Sequence, residues 1–479
     1  MFSLIFAACI APGLGPLTAA AAAAPLPVTR MVQEDGTPGA TGGRPPSLVV
    51  VLADDLGWGD IGCQGQEKIL TPWIDRMAAE GMRFSAGYAG STVCAPSRSV
   101  LMTGMHAGHT RVRGNRRVPL RDEDVTVAEV LKGQGYRTAL FGKWGLGNAG
   151  SSGHPVRQGF ERFFGFSDQL HAHNSYPPHL WDGEQRVELS NVVPGEGKWG
   201  QGKASERHDW APARIHREAM GWLRSISDDE PFFLYLASTI PHANNEAGSD
   251  GMEVPELGVY ADRPWPRRQR EHAAMVSALD RQVGELLETL ASMGRDEDTL
   301  VIFLSDNGPH REGGNDPDFA DSNGPYRGIK RALTEGGIRV PFIARWPGTF
   351  EAGVVNDSPV HFQDLFATAG ALAGAEVPAG LDSRDLLPTL RGASPPPSTP
   401  LYWEFHERGS AEAVRFGRWK AIRSPMQTGS IRLFDLTDDP GEDRDLALGP
   451  DYTERVQEAA RYMDAAHLPS AEFKTPAER

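Results

Sequence analysis

Ser47-Leu-Val-Val-Val-Leu-Ala53 is a continuous apolar run rich in valine, the pattern of a parallel strand buried on both faces. Tyr136–Phe141, Pro231–Ala237, Thr299–Leu304 and the shorter Phe342–Trp346 have the same character. Between them the apolar period lengthens. Thr126–Gly133 reads as a short amphipathic helix, Ala213–Ser225 as another, and Arg270–Met293 as a long one stopped by Gly294. Strands alternating with helices predict an α/β fold: a large, mostly parallel sheet flanked by helices. Past the linker candidate Ser394-Pro-Pro-Pro-Ser-Thr-Pro400 the pattern changes again. Short alternating runs at Leu401–Phe405, Ala413–Phe416, Trp419–Ile422 and Arg432–Leu436, then a helical pattern over Asp451–Ala466, predict a smaller α+β subdomain with an antiparallel sheet. The expected division is a main domain at 47–393 and a C-terminal subdomain at 394–479.

Met1 to Ala24 is apolar and ends in alanines, as a secretory signal does, although it lacks a basic start. Pro12, Pro16 and its shortness argue against a membrane anchor. Residues 25–46, rich in Gly, Pro and Thr, read as a flexible lead-in. No later segment is long and apolar enough to span a bilayer, so an exported, periplasmic or extracellular protein is expected. The formal net charge of −15 disfavours a nucleic-acid partner, and any anionic substrate then needs a local basic pocket. Of 3 cysteines, Cys9 leaves with the signal, which excludes a disulfide framework. A Cys63–Cys94 bridge is the bland reading of the other two.

Each long strand run ends in polar residues: Asp54-Asp55, Gly142-Lys143-Trp144-Gly145, Thr239-Ile-Pro241-His242 and Ser305-Asp306-Asn307. In open α/β sheets, ligands bind outside the carboxyl ends of the strands. Adjacent carboxylates there repel unless a cation or proton joins them; the alternative is a turn acid beside a helix cap. Asp54, Asp55, Asp306 and Asn307 are oxygen donors, a set suited to Ca2+ or, less well, Mg2+. Arg98, Lys143 and Lys330 supply positive charge. Cys94 precedes an apolar run that opens a helix, where backbone N–H groups favour negative charge, and Arg98 follows one turn later. A buried free thiol is the plain alternative.

Cys94-x-Pro96-Ser97-Arg98 with Leu101-x-Thr103-Gly104 behind it resembles the signature of formylglycine-dependent sulfatases. Asp54-Asp55, Gly-Lys143-Trp, Pro-His242, Asp306-Asn307-Gly and Lys330 with Glu335-Gly-Gly follow in the order found in type I sulfatases of the arylsulfatase A-like kind, in the alkaline phosphatase superfamily. The resemblance implies an alkaline-phosphatase-like fold and cleavage of a sulfate ester. It implies a Cys94 converted to formylglycine by a maturation enzyme (formylglycine-generating or anaerobic), whose hydrate attacks sulfur. It assigns Ca2+ to Asp54, Asp55, Asp306, Asn307 and modified Cys94, and sulfate contact and catalysis to Arg98, Lys143, His242 and Lys330, with His242 protonating the leaving alcohol. Many relatives carry a histidine where this chain has Gly145. His171 and His173 are candidates to replace it or, with Asn174 and His310, to contact substrate. Glu312 and Asn315 are further substrate candidates, and Glu404, His406 and Arg408 could reach the cleft or belong to a solvated hairpin. Tyr176, His179 and Trp181 suit a sulfated sugar, since aromatic rings stack on sugar faces. Three alternatives stand beside this reading: a phosphate or phosphonate ester hydrolase of the same superfamily, a binding protein with a decayed site, and an unmodified thiol nucleophile.

Overall fold

The computed structural model describes residues 44–394 and 399–479. The expected signal segment, most of the lead-in and residues 395–398 of the linker lie outside the described residues. The strands of the main part are β1 (Ser47–Ala53), β2 (Met82–Phe84), β3 (Gly87–Tyr88), β4 (Arg137–Lys143), β5 (Arg162–Phe166), β6 (His179–Asp182), β7 (Gln185–Glu188), β8 (Phe232–Ala237), β9 (Thr299–Ser305), β10 (Phe342–Arg345), β11 (Val354–Asn356) and β12 (Val360–His361). Ten of them form one sheet in the order β11-β2-β10-β9-β1-β8-β4-β5-β6-β7. Its centre, β9-β1-β8-β4-β5, is parallel, and β10 and β6 join it antiparallel. Sequence pattern missed β5, β6 and β7 because they are short and β7 is mostly exposed. It also ended β4 too early: the ladder to β5 continues through Gly142 and Lys143.

Why the strand runs are continuously apolar is visible in β1. Val49, Val51 and Ala53 enter a core shared with helices α1 (Pro72–Ala79), α4 (Ala211–Leu223) and α5 (Arg267–Ser292). Leu48, Val50 and Leu52 enter the opposite core, shared with α2 (Cys94–Thr103), α3 (Val127–Gly133) and α7 (Asp364–Ala373). Successive side chains of a strand point to opposite faces, so a strand covered on both faces has no polar positions left. Burying each such side chain favours folding by about 1.5–3 kcal/mol. β1 lies between β8 and β9, both parallel to it, and the chain reaches them on opposite sides. A crevice opens outside the strand ends at such a point.

A second sheet, β13 (Leu401–Phe405), β14 (Ala411–Phe416), β15 (Trp419–Ser424) and β16 (Ser430–Asp435), is an antiparallel meander covered by α9 (Thr453–Ala466). It docks through a buried polar network centred on Glu335, the first residue of α6 (Glu335–Ile338). Lys420 Nζ donates to Glu335 Oε1 at 2.9 Å, Tyr88 Oη to Glu335 Oε2 at 2.6 Å, and Arg415 Nη1 to Tyr88 Oη at 2.7 Å. The Glu335 N–H donates to Glu442 Oε2 at 2.6 Å. Among the described residues, no helix is long and apolar enough to cross a membrane.

Burial opposes charge on Glu335, but Lys420, Arg339 and Arg415 outweigh it and bring its pKa from 4.5 down to about 2. Replacing Lys420 by Met leaves that carboxylate buried without its main partner, and the expected loss is about 3–5 kcal/mol, read as a urea midpoint shift. A depressed acid stabilises above its unfolded pKa. The stability gap between wild type and Glu335→Gln should therefore be whole above pH 4.5 and narrow as pH falls toward 2. An unchanged midpoint in Lys420→Met, or a gap that widens in acid, would contradict this role.

Candidate active site

The strand ends converge on a cavity of about 520 Å3 whose wall includes Cys94, Gly145, Gln169, His173, His242 and Lys330. Cys94 is the first residue of α2, which is buried throughout. Two side chains fix its start: Asn115 Oδ1 accepts from the Ala95 N–H at 3.0 Å, and Ser97 Oγ from the Gly90 N–H at 3.0 Å. Farther on, Val100, Leu101 and Met102 join the core. The polar first turn thus faces the crevice while the rest of the helix is held by packing.

In register, Ala53 of β1 pairs with Ser305 of β9, so Asp54 and Asp306 leave their strands side by side. Cys94 Sγ lies 3.5 Å from Asp54 Oδ1. Lys143 Nζ donates to Asp54 Oδ2 at 2.7 Å, and Lys330 Nζ to Asp55 Oδ2 at 2.7 Å. Arg98 donates through Nη2 and Nε to Asp306 Oδ2, at 2.8 and 3.1 Å, and through Nη1 to the Lys143 carbonyl at 2.6 Å. Asp55 has φ of 66°, a left-handed conformation that Asp tolerates better than most residues, and its N–H donates to Asp306 Oδ1 at 3.1 Å. Lys330 comes from a loop pinned at both sides: its N–H donates to the Pro309 carbonyl, and the Arg331 N–H to the Thr92 carbonyl. Gly336 and Gly337 pack against that loop. A Cβ on Gly336 would lie 2.2 Å from the Gly328 carbonyl oxygen, which explains two glycines after Glu335.

Three carboxylates and three cations are thus sealed together. Burial works against charge on Asp54, but Lys143, Arg98 and Lys330 hold it well below the usual range. Burial likewise opposes charge on Asp55, which Lys330 brings below its usual value. Asp306 is the odd one out: burial and the adjacent Asp54 push it up to about 7 despite Arg98. Burial pushes the Cys94 thiol up more strongly than Lys143 and Lys330 lower it, which argues against an unmodified thiolate nucleophile at neutral pH. Cys63 and Cys94 are both free, so the bridge between them is absent. His242 is fully enclosed, and burial followed by Lys330 keeps it well below its usual pKa. Its Nδ1 pairs with the Ala243 carbonyl at 2.6 Å and its Nε2 with Lys330 Nζ at 3.1 Å. An ammonium only donates, so Nε2 accepts and the ring proton sits on Nδ1.

The Asp54 and Asp55 carboxylates and the Asn307 side-chain carbonyl are hard oxygen donors of the kind Ca2+ takes, whereas an unmodified Cys94 thiol and the His242 ring beside them are softer. Asp54, Asp55, Cys94 and His242 hold ligand atoms within 4.8 Å of one another. Asn307 Nδ2 is committed to Asp55 Oδ1 at 2.7 Å, while Asn307 Oδ1 is buried with no hydrogen-bond partner. A buried carbonyl without a donor is costly, and a metal ion would satisfy it.

The Sulfatase family model matches residues 46–375, and the N-sulphoglucosamine sulphohydrolase C-terminal model matches residues 328–467. The chain belongs to the sulfatase family. It is 33% identical to arylsulfatase A of Homo sapiens over 464 residues, covering 85% of this chain and 84% of that one. It is 32% identical to N-acetylgalactosamine-6-sulfatase of Mus musculus over 400 residues, covering 79% and 72%. A solved structure of Ps i-CgsB in complex with k-i-k-neocarrahexaose superposes with a TM-score of 0.74 at 27% identity, covering 91% of this chain and 94% of that one. These findings make the chain a sulfuric ester hydrolase of the type I, alkaline phosphatase-superfamily kind.

Of the residues expected to contact substrate, His173 lines the cavity, its ring stacked 4.8 Å from that of His242 and its Nδ1 3.3 Å from Glu246. His171 instead packs between Phe166 and His179 in a fully buried position away from the cavity wall. Asn174 is buried in its own turn, accepting from the Tyr176 N–H at 2.9 Å. His310 sits behind His242, its Nε2 3.2 Å from the Pro241 carbonyl. Asn315 holds the His310 carbonyl, and Glu312 pairs with Arg331. Tyr176 and His179 are packing residues. The aromatic that does reach the cavity is Trp199, with the Arg117 guanidinium 4.2 Å above its ring. Its only sequence signal is its setting, Lys198-Trp199 between Gly197 and Gly200.

A side chain at 145 would meet both a left-handed backbone and the Gln169 side chain. Gly145 has φ of 82°, and a Cβ there would lie 1.9 Å from Gln169 Nε2, a buried atom without a hydrogen-bond partner. Gln169 thus fills the space that the histidine expected at 145 from the sequence resemblance would enter. Restoring that residue by Gly145→His should lower both the melting temperature and kcat, with a strain cost of about 1–3 kcal/mol. A variant as stable and active as wild type would show that Gln169 does not own that space.

Proposed function

We propose that the protein hydrolyses a sulfate ester carried on a carbohydrate, with formylglycine made from Cys94 and one Ca2+ held by Asp54, Asp55, Asp306, Asn307 and the modified residue. The observation that carries this reading is Cys94 at the opening of a buried helix, in the cavity wall, 3.5 Å from a carboxylate and flanked by two lysines. The names of two similar proteins support the sugar: N-acetylgalactosamine-6-sulfatase, and Ps i-CgsB in complex with k-i-k-neocarrahexaose. When present, the formylglycine supplies a hydroxyl nucleophile and the calcium ion positive charge beside it.

The chain's own residues do the rest. Arg98, Lys143 and Lys330 bind and orient the sulfuryl oxygens, where preorganised positive charge in a dry pocket stabilises the transition state most. His242 Nε2 starts as an acceptor and Lys330 Nζ holds the proton beside it. In this reading that pair protonates the leaving alcohol. As built, three carboxylates balance Arg98, Lys143 and Lys330. A divalent ion adds an excess of positive charge that a sulfate monoester offsets and a neutral ester does not. The division at 394, export from the cytoplasm and maturation by a formylglycine-generating enzyme belong to the same reading.

Protein made with such an enzyme should yield a Cys94 peptide whose mass shows thiol exchanged for aldehyde. It should release sulfate from sulfated sugars and turn over 4-nitrophenyl sulfate well above 4-nitrophenyl phosphate. His242→Ala should lower kcat by about 10²–10⁴-fold, the usual worth of a proton-transfer group. Full activity with an unmodified Cys94, or a preference for the phosphate ester, would overturn this reading.

A further inference from the structure

A second cavity of about 500 Å3 adjoins the active-site cavity. Asn115, Arg116 and Glu407 stand in the walls of both, so the two are compartments of one cleft. The second is built by residues 114–116, by the loop after β13 that carries His406, Arg408 and Ser410, and by Phe473. Two of its side chains, Ser410 and His406, each keep a polar atom without a partner. Ser410 is 2% exposed, yet its Oγ has no hydrogen-bond partner. His406 Nδ1 is also buried without a partner, while its Nε2 meets Glu404 Oε2 at 2.7 Å. Glu404 itself is held by Arg113 and His467 and does not enter either compartment.

The charges point the same way. Arg116 donates to the Glu472 backbone carbonyl and lies 5.6 Å over the Phe473 ring. Neither Arg116 nor Arg408 has a carboxylate partner among the described residues, whereas most arginines of this acidic chain do. Glu407, in the shared wall, adds one negative charge, near enough to Arg331 to act on it electrostatically. Unpaired guanidinium groups suit the planar oxygens of sulfate or carboxylate. A free hydroxyl and a ring nitrogen suit sugar hydroxyls, and the Phe473 ring offers an apolar face.

We infer that this compartment is a subsite for a further unit of the same glycan, a sugar that carries its own sulfate or carboxylate. The inference rests on the carbohydrate-sulfate reading. It makes the substrate a polyanionic oligosaccharide whose scissile sulfate sits at Cys94 while a neighbouring anionic sugar is held by Arg116, Arg408, Ser410 and His406.

The test uses the mature enzyme, 4-nitrophenyl sulfate, and size-graded di-, tetra- and hexasaccharides from chondroitin sulfate, heparin and carrageenan. For wild type, kcat/KM on the matching series should rise with length. In Arg408→Ala, an exposed position, and independently in Ser410→Ala, the ratio of kcat/KM on the longer glycan to that on 4-nitrophenyl sulfate should fall, by about tenfold or more for the arginine. The change should appear mainly in KM. An unchanged ratio in both variants, with glycan still hydrolysed, overturns the subsite and leaves the carbohydrate reading standing. Turnover of 4-nitrophenyl sulfate with no glycan hydrolysed overturns both.

Discussion

The site rests on a charge balance held out of water. Asp54, Asp55 and Asp306 leave two neighbouring strands within contact of one another, and Arg98, Lys143 and Lys330 neutralise them one for one. Ionised groups this deeply buried persist only when paired. The rise of Asp306 to about 7 shows where the balance is least complete. A cation would relieve that deficit, and the added charge would then favour an anionic substrate. The same groups that make the core costly without its ligands therefore give it a reason to bind both.

Position in that cluster is set by elements with no chemistry of their own. β1 can be apolar on both faces because helices cover both, and its register with β9 brings Asp54 beside Asp306. Lys330 depends on a loop fixed by backbone hydrogen bonds and by the close approach of Gly336 and Gly337. That segment continues into Glu335, where Lys420 of the C-terminal sheet binds. The small sheet thus braces the loop that delivers a catalytic candidate, and its own loop 406–410 walls the second compartment.

Much of this was legible in the sequence. Asp54-Asp55, Lys143, His242 and Asp306-Asn307 stand out because polar pairs interrupt runs that must be buried, and parallel strands bring their carboxyl ends together. Cys94 and Arg98 stand out through their spacing at a helix start. What stayed hidden depends on side-chain direction. His171 and His173 are two residues apart in a single turn, yet one enters the core and the other the cavity. His310 follows the Asp306-Asn307 pair closely in sequence but lies behind His242 rather than over the cleft. The crowding at Gly145 comes from Gln169, 24 residues away, which no local pattern connects. Trp199 and Ser410 belong to loops without period, where sequence carries little positional information.

The central claim is that one buried cluster takes a divalent cation and, through it, an anion. Calorimetric titration of calcium into chelator-stripped protein, with and without inorganic sulfate, tests it most directly. The account predicts a single calcium per chain, tighter in sulfate, with sulfate tightened by calcium to the same degree because coupling is reciprocal. It also predicts that Asn307→Ala weakens the calcium isotherm. Sulfate binding that ignores calcium, or a calcium isotherm that Asn307→Ala leaves unchanged, would contradict it.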